Sequence, residues 1–511
     1  MVAHLTNPIT DGAEKDFNKP VPACAAKAMG PEQRRDMATR VLGGKESASQ
    51  AARENQVSRK FVGQQTAKAK QALDETFAPP GDAPEKILFY LPVTKSWIRQ
   101  ATLGLALTCR GSERGISQFF DDHLNYHMVS GTVHNILTDA VSKARAQNAA
   151  IELDKVRDVA LDEIFQAGKP VLVTVDAQST FCCLLSLEEH RDADTWGVRL
   201  LELGERGFNP QTAVADFGPS LRAGLAQALP ELLCRGDVFH VKMDLTEASI
   251  LLDNRAYRAV ERRSSLQNKQ ARQSRSTGRL DHSLTMKISH AQREEQEALT
   301  QADDVRILFD WLFDDILAIA GPPHADRQAL FDFVVAELRQ RLDSAGDACQ
   351  RIGKLLANHR DDLLAFVVQL DRELAMLAQQ FEVPLALVRD LLQHLATSPN
   401  HPDYWQREAQ FHQGAHGRLH ELKPAVQKLR RQTVRASSVV ENLNSRLRSY
   451  FFLRRHLGPD YLELLQFYLN HRRFPRSDRP ERKGKSPREL LTGQEHPHWL
   501  ELLGFQRFER N

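Results

Sequence analysis

Cysteine is scarce and unpaired in spacing: Cys24, Cys109, Cys182, Cys183, Cys234 and Cys349 form no CxxC pair. Neither a zinc knuckle nor a disulfide framework has the spacing it needs, so reduced thiols are expected. Aromatics make up only 7% of 511 residues, while Leu, Ala, Arg and Gln dominate long stretches free of Pro and Gly. That composition favours a largely helical protein over an all-β one. No apolar run approaches the ~20 residues needed to cross a bilayer, and residues 1–15 lack a charged start followed by an apolar stretch. The chain therefore reads as cytoplasmic, with no membrane partner. An excess of one charge sign is also missing, at 68 Lys+Arg against 66 Asp+Glu. Local fields rather than the total then decide what the surface attracts. The length allows roughly three domains of ~150 residues.

Residues 1–30 show no periodicity and read as a disordered leader. Residues 31–78 turn helical and carry a helix, a tight turn and a second helix. Ala51 and Ala52 are small enough for close helix crossing, Val57 would plug the angle, and Ser58 can cap a helix presenting Arg59, Lys60, Gln64 and Lys68 outward. Those are groove-reading and phosphate-binding side chains. Gln56 stands where the turn usually has glycine. A second module of the same plan is expected over 85–150, with Ile116, Phe119, Phe120, Val133, Ile136 and Leu137 at helical spacing as its small core and Ser130 capping its last helix.

An apolar run then ends in Asp176, and after a helix-like stretch a shorter one ends in Asp216. Alternation of strand and helix predicts an α/β core over 165–245 with both aspartates carried on strands. Residues 246–435 give almost only helical signals. Within them, Arg255 to Arg279 hold eight basic residues against Glu261 alone, a segment that stays solvated or lies against an anion. The last part, 436–511, begins with a Ser pair starting a helix on which Glu441, Ser445 and Arg448 share one face. From Arg446 to Arg488 there are twelve basic and four acidic residues, Arg454, Arg455, Arg472 and Arg473 among them. Such a stretch suits a DNA backbone, with affinity falling steeply as salt rises.

Two strand aspartates suggest a divalent-metal site, because Mg²⁺ takes hard oxygen ligands and leaves room for phosphate and water. Glu441 is the candidate third carboxylate, and Arg448 beside it would clamp phosphate.

These residues resemble those of the DDE-type transposases of bacterial insertion elements. The matching parts are the helix-turn-helix segment, Val-Thr-Val-Asp176, Val-Ala-Asp216, and the run from Glu441 through Arg454-Arg455 to Thr492-Gly493. Asp237-Val238-Phe239-His240 is similar to the Asp-x-x-His signature of Mutator-like and hAT-like members, which also carry a helical insertion before the Glu. Here Asp216 and Glu441 lie 225 positions apart. The resemblance implies an α+β, mostly helical fold, with N-terminal helix-turn-helix modules and a ribonuclease-H-like core interrupted by a large all-α insertion. It implies Asp176, Asp216 and Glu441 as catalytic residues holding two Mg²⁺ (or Mn²⁺) ions, and Asp237 and His240 orienting DNA. The reaction implied is metal-dependent cleavage and strand transfer without a covalent enzyme intermediate. Its partners would be double-stranded DNA, both terminal inverted repeats and target, and further copies of the chain in a homodimer or larger assembly. A non-catalytic DNA-binding regulator and a ribonuclease-H-like nuclease are the alternatives. One feature fits poorly: a three-strand meander should follow the first catalytic Asp, yet only about one strand separates Asp176 from the next helix.

Overall fold

The computed structural model describes residues 25–77, 88–279, 281–343, 346–453 and 457–508. The expected leader up to residue 24, the linker from residue 78 to 84, and Arg454 and Arg455 lie outside these. The chain forms two compact units, Met1–Leu91 and Pro92–Glu509. Among the described residues no helix is long and apolar enough to cross a membrane.

In the first unit, α1 (Pro31–Leu42), α2 (Ala48–Glu54) and α3 (Arg59–Phe77) close on Met37, Ala51 and Val62. Ser47 accepts a hydrogen bond from the Gln50 N–H, and Ser58 Oγ accepts one from the Phe61 N–H at 3.1 Å. Gln56 adopts the left-handed conformation (φ 53°) at the turn where glycine was the expected residue. The first helical turn, Ala25–Ala28, falls inside the segment read as leader.

In the second unit, α4 (Lys95–Leu107), α5 (Glu113–Leu124) and α6 (Ser130–Ala149) precede the sheet. Val129 rather than Ser130 takes the N-cap position of α6. The strands are β1 (Asp158–Gln166), β2 (Lys169–Asp176), β3 (Cys182–Leu187), β4 (Thr212–Ala215) and β5 (Leu233–Gly236). They stand in the order β3-β2-β1-β4-β5, antiparallel from β1 to β3 and parallel from β1 through β4 to β5. The β1–β2 turn uses Ala167 (φ 50°) and Gly168 (φ 85°), two left-handed residues that suit the twist of a tight hairpin. Helices α7 (Ala193–Gly204) and α8 (Pro219–Ala228) join β3 to β4 and β4 to β5.

This is the ribonuclease-H-like core expected, shifted by one strand. The meander missing after Asp176 is present, but it begins at β1, before the predicted start at 165. Three acids in nine residues (Asp158, Asp162, Glu163) disguise β1, since Asp and Glu are depleted in strands. Each has a partner: Thr212 Oγ1 donates to Asp158 (2.5 Å), Trp196 Nε1 to Glu163 (2.8 Å), and Asn444 Nδ2 to Asp162 (2.6 Å).

The period-2 alternation of the strands builds two cores. Ala160, Ile164, Val171, Val173 and Val175 face α4–α6 together with α17 (Ser438–Leu453) and α18 (Pro459–His471). Val159, Leu161 and Leu172 face Trp196 and Leu200 of α7 and Leu221 and Leu225 of α8. Residues 85–150 thus differ from the separate module expected: Ile116, Phe120, Val133, Ile136 and Leu137 join the sheet's own core.

The all-α insertion comprises α9 (Val238–Thr277), α10 (His282–Asp310), α11 (His324–Leu342), α12 (Asp347–Asn358), α13 (Arg360–Phe381), α14 (Leu385–His394), α15 (Tyr404–Gly414) and α16 (Leu419–Gln432). It starts at Val238, eight residues before the predicted boundary. The basic stretch from Arg255 lies on α9 and is partly neutralised by α10, through Arg262–Glu294 (2.8 Å) and Arg263–Glu295.

The insertion leaves and returns at one point. Asp237 is fully buried, caps α9 by accepting from the Phe239 N–H (2.8 Å), and accepts from both the Ser437 N–H (2.9 Å) and its hydroxyl, 200 residues on. Asp237→Ala strands these donors, and breaking a buried charged network of this kind costs about 3 kcal/mol or more. Ser437→Ala should cost about 1 kcal/mol. Urea unfolding checks both, and an unchanged midpoint for Asp237→Ala would mean that the insertion is closed by something else.

Candidate functional site

The sheet, the insertion and α17 each supply one group to a single cluster. β1 carries Asp162 on the sheet face that α17 covers. The first turn of α17 carries Glu441, and α9 carries His240 one turn after Asp237. One ligand atom from each of Asp162, His240 and Glu441 lies within 4.8 Å of the others.

Burial dominates the electrostatics of Asp162. It is 7% exposed, and desolvation pushes its carboxyl up to about 7, helped by the neighbouring Glu441 and opposed by the Glu163 N–H and by His240. His240 Nδ1 lies 2.5 Å from Asp237 Oδ2, and its Nε2 lies 3.5 Å from Glu441 Oε1. The bond to Asp237 is the largest cause raising His240 to about 9, against a smaller opposing effect of burial. Burial alone would raise Asp237, but its bonds with His240 and Ser437 outweigh it and hold that carboxyl below its ordinary value. His240 therefore sits as an imidazolium between carboxylates, supplying the positive charge that a cation would otherwise bring. Arg448 Nη2 approaches Glu441 Oε2 at 3.7 Å from the exposed side.

The donor set fits a divalent cation. Two carboxylates are hard ligands, and Asn444, which donates its Nδ2 to Asp162, holds a buried Oδ1 with no hydrogen-bond partner. Mg²⁺ or Mn²⁺ would use Asp162 and Glu441, with the unpaired amide oxygen on the side chain bonded to Asp162. His240 joins the ligands only after losing its proton, a step that suits Mn²⁺ better than Mg²⁺.

Of the predicted carboxylates, the structure brings Glu441 into this cluster and leaves the two aspartates out. Asp176 ends β2 with the parity of Leu172, so its side chain belongs to the sheet face opposite α17. There it accepts from the Ser179 N–H (2.7 Å) and hydroxyl (2.5 Å) and closes the turn to β3. The strand alternation that makes residues 170–176 legible thus removes Asp176 from the site, and Asp162 takes its place. Asp216 follows β4 half-buried, its Oδ1 accepting from the Gly218 N–H at 3.0 Å where α8 begins. The register of β4, continued by one or two residues, sets it opposite Asp162 on β1 and Asp237 after β5. Asp162 and Asn444 were missed. The signal for Asp162 was the hairpin pattern itself, a strand run, Ala167-Gly168, and a second strand run; Asn444 lies one turn from Glu441.

Among the residues expected to bind DNA, Arg59, Lys60, Gln64 and Lys68 are all exposed on α3 in the first unit. Arg472 is half-buried over the Tyr468 ring, 5.7 Å from its centroid. Arg473 is committed elsewhere: it grips Glu489 with Nε and Nη2 (2.6 Å at the shortest) and the His496 carbonyl (2.8 Å), locking the C-terminal segment.

No family model and no curated protein matches the chain. Among solved structures, it is similar to a chain of the Drosophila P element transposase strand transfer complex, at 10% identity over 83% of this chain and 96% of that one. The TM-score is 0.24, so this likeness carries none of the argument below.

Titration of the cluster has a definite sign. The folded value of His240, about 9, lies above its ordinary 6.5, so its stabilisation is complete below pH 6.5 and is lost as pH rises through 9. Asp162, raised from 3.8 to about 7, likewise favours folding most below pH 3.8 and loses this through pH 7. The metal-free unfolding temperature should therefore fall from pH 6 to pH 9.5, roughly. A divalent cation reverses the trend, because its binding expels the Asp162 proton and tightens through about pH 7. Thermal melts with and without Mn²⁺ check this, and a flat metal-free profile would contradict it.

Proposed function

We propose that the protein is a transposase-like enzyme that binds DNA and performs metal-dependent strand cleavage and strand transfer. The observation that carries this reading is the meeting of Asp162 and Glu441 over a ribonuclease-H-like sheet. One comes from the middle of β1 and the other from the first helix after a long insertion, and a hard-ligand role accounts for two carboxylates brought together there with an unpaired amide oxygen on the side chain bonded to one of them.

A divalent cation bound there would lower the pKa of an attacking water or 3′-hydroxyl and neutralise charge developing on the phosphorus oxygens. Asp162 and Glu441 would hold it, with Asn444 fixing the Asp162 carboxylate. Asp216, level with Asp162, would join by turning its Oδ1 away from Gly218 and so provide for a second ion. His240, held by Asp237, would donate to a non-bridging phosphate oxygen, and Arg448 would take the next oxygen from the exposed side. The helix-turn-helix unit, with Arg59, Lys60, Gln64 and Lys68 outward, would supply DNA-end recognition.

The competing reading is a helix-turn-helix regulator without catalysis. One observation favours it: Asp216 stands outside the cluster. Cleavage of a duplex carrying the native ends of the element separates the two. Mn²⁺- or Mg²⁺-dependent nicking by the wild type should fall at least 100-fold in Asp162→Asn and in Glu441→Gln, with DNA binding retained, while Asp176→Asn keeps activity in proportion to its folded fraction. Binding without any metal-dependent cleavage would favour the regulator, and loss of nicking in a fully folded Asp176→Asn would overturn the assignment of Asp162.

A further inference from the structure

On α17 the residues at Glu441, Asn444 and Arg448 border one side of an exposed strip that includes Asn442, Ser445 and Phe452. The opposite border is formed by Arg446 and Tyr450, one turn apart and on one face. The Tyr450 hydroxyl donates to the Leu107 carbonyl at 2.5 Å, and the Tyr468 hydroxyl donates to Thr108 Oγ1 at 3.1 Å. Both rings are thereby hooked to consecutive residues at the end of α4. A guanidinium lies over each ring, Arg110 at 5.4 Å from the Tyr450 centroid and Arg472 at 5.7 Å from that of Tyr468. Two guanidinium groups thus lie over a pair of tyrosines, and Arg446 stands on the face of α17 that carries one of them.

Arg110 reaches this position through a left-handed backbone (φ 60°), a conformation that costs a non-glycine residue about 1 kcal/mol. Burial lowers the pKa of Arg446, and the charges of Arg472 and Arg110 lower it further. No ion pair joins Arg110, Arg446 or Arg472 to a carboxylate among the described residues. Half-buried like charges gathered without a counter-ion repel one another, and strain held at the same spot adds to the cost. An anion with several oxygens, received by planar guanidinium forks, removes the repulsion and offsets the strain.

We propose that Arg110, Arg446 and Arg472 form a binding site for a backbone phosphate of DNA, separate from the Asp162–His240–Glu441 cluster and across the exposed strip of α17 from it. The site deepens the DNA-processing reading above and rests on it for the source of the phosphate. A strand crossing the strip would place one phosphate at Glu441 and another on the arginines. Phe452, 86% exposed, stands on the strip where an unstacked base would meet it.

The test uses the full chain and the variants Arg446→Gln and Arg472→Gln. Inorganic phosphate should raise the unfolding temperature of the wild type and leave that of both variants unmoved. Without phosphate at low salt, Arg446→Gln should melt no lower than the wild type, because it removes an uncompensated charge. Duplex affinity should lose about one unit of its logarithmic salt slope in each variant, while Mn²⁺ binding is unchanged. A duplex should also compete with phosphate for the wild-type site. Variants that melt lower and keep the phosphate response would overturn the site, and phosphate binding that no duplex displaces would overturn DNA as its source. A wild type that binds phosphate but no duplex refutes the DNA-processing reading itself, a result distinct from failure of the arginine site.

Discussion

The arrangement depends on one buried carboxylate. Asp237 follows β5, starts α9, takes the imidazole of His240 and receives the Ser437 N–H and hydroxyl where the insertion comes back to the sheet. A single side chain thereby fixes where nearly 200 residues of helix are attached and which way His240 faces. The Val238 N–H to Arg435 carbonyl bond (3.3 Å) and Arg235 Nη1 to the Val434 carbonyl (3.0 Å) reinforce the closure. Because Ser437 immediately precedes α17, the same closure sets the height of Glu441 over β1. Had the insertion closed anywhere else, Glu441 would not meet Asp162.

The charge balance at the cluster follows from that geometry. A carboxylate held as deep as Asp162 resists ionisation, and two together are tolerated only beside a positive charge. His240 provides it, made a stronger base by Asp237. The cluster therefore has two compatible states, an imidazolium balancing the acids or a divalent cation doing so with a proton released. The unpartnered Asn444 oxygen fits the second state better than the first.

How much of this was legible in the sequence depended on how local each signal was. The Ser pair and i, i+4, i+7 face of Glu441, the Asp-x-x-His spacing and the two helices joined at Gln56 were readable because each is settled within a few residues. β1 was not, since its acids are satisfied by Thr212, Trp196 and Asn444, partners 33 to 282 positions away. Asp176 was misplaced because a strand's pattern gives alternation but not which face a distant helix will cover. The apolar spacing over residues 85–150 suits a separate module as well as a layer on a sheet, because three amphipathic helices look alike whether their apolar faces meet each other or a sheet. β5, four residues with a buried Arg235, is too short to announce itself.

The central claim is that Asp162 and Glu441, and not Asp176, form the cation site. A crystal soaked in Mn²⁺ and measured at the manganese absorption edge tests it most directly. The account predicts an anomalous peak coordinated by Asp162 and Glu441, with the Asp176 carboxylate still bonded to Ser179. A peak on Asp176, or none at Asp162 in a crystal grown near pH 8, would contradict it.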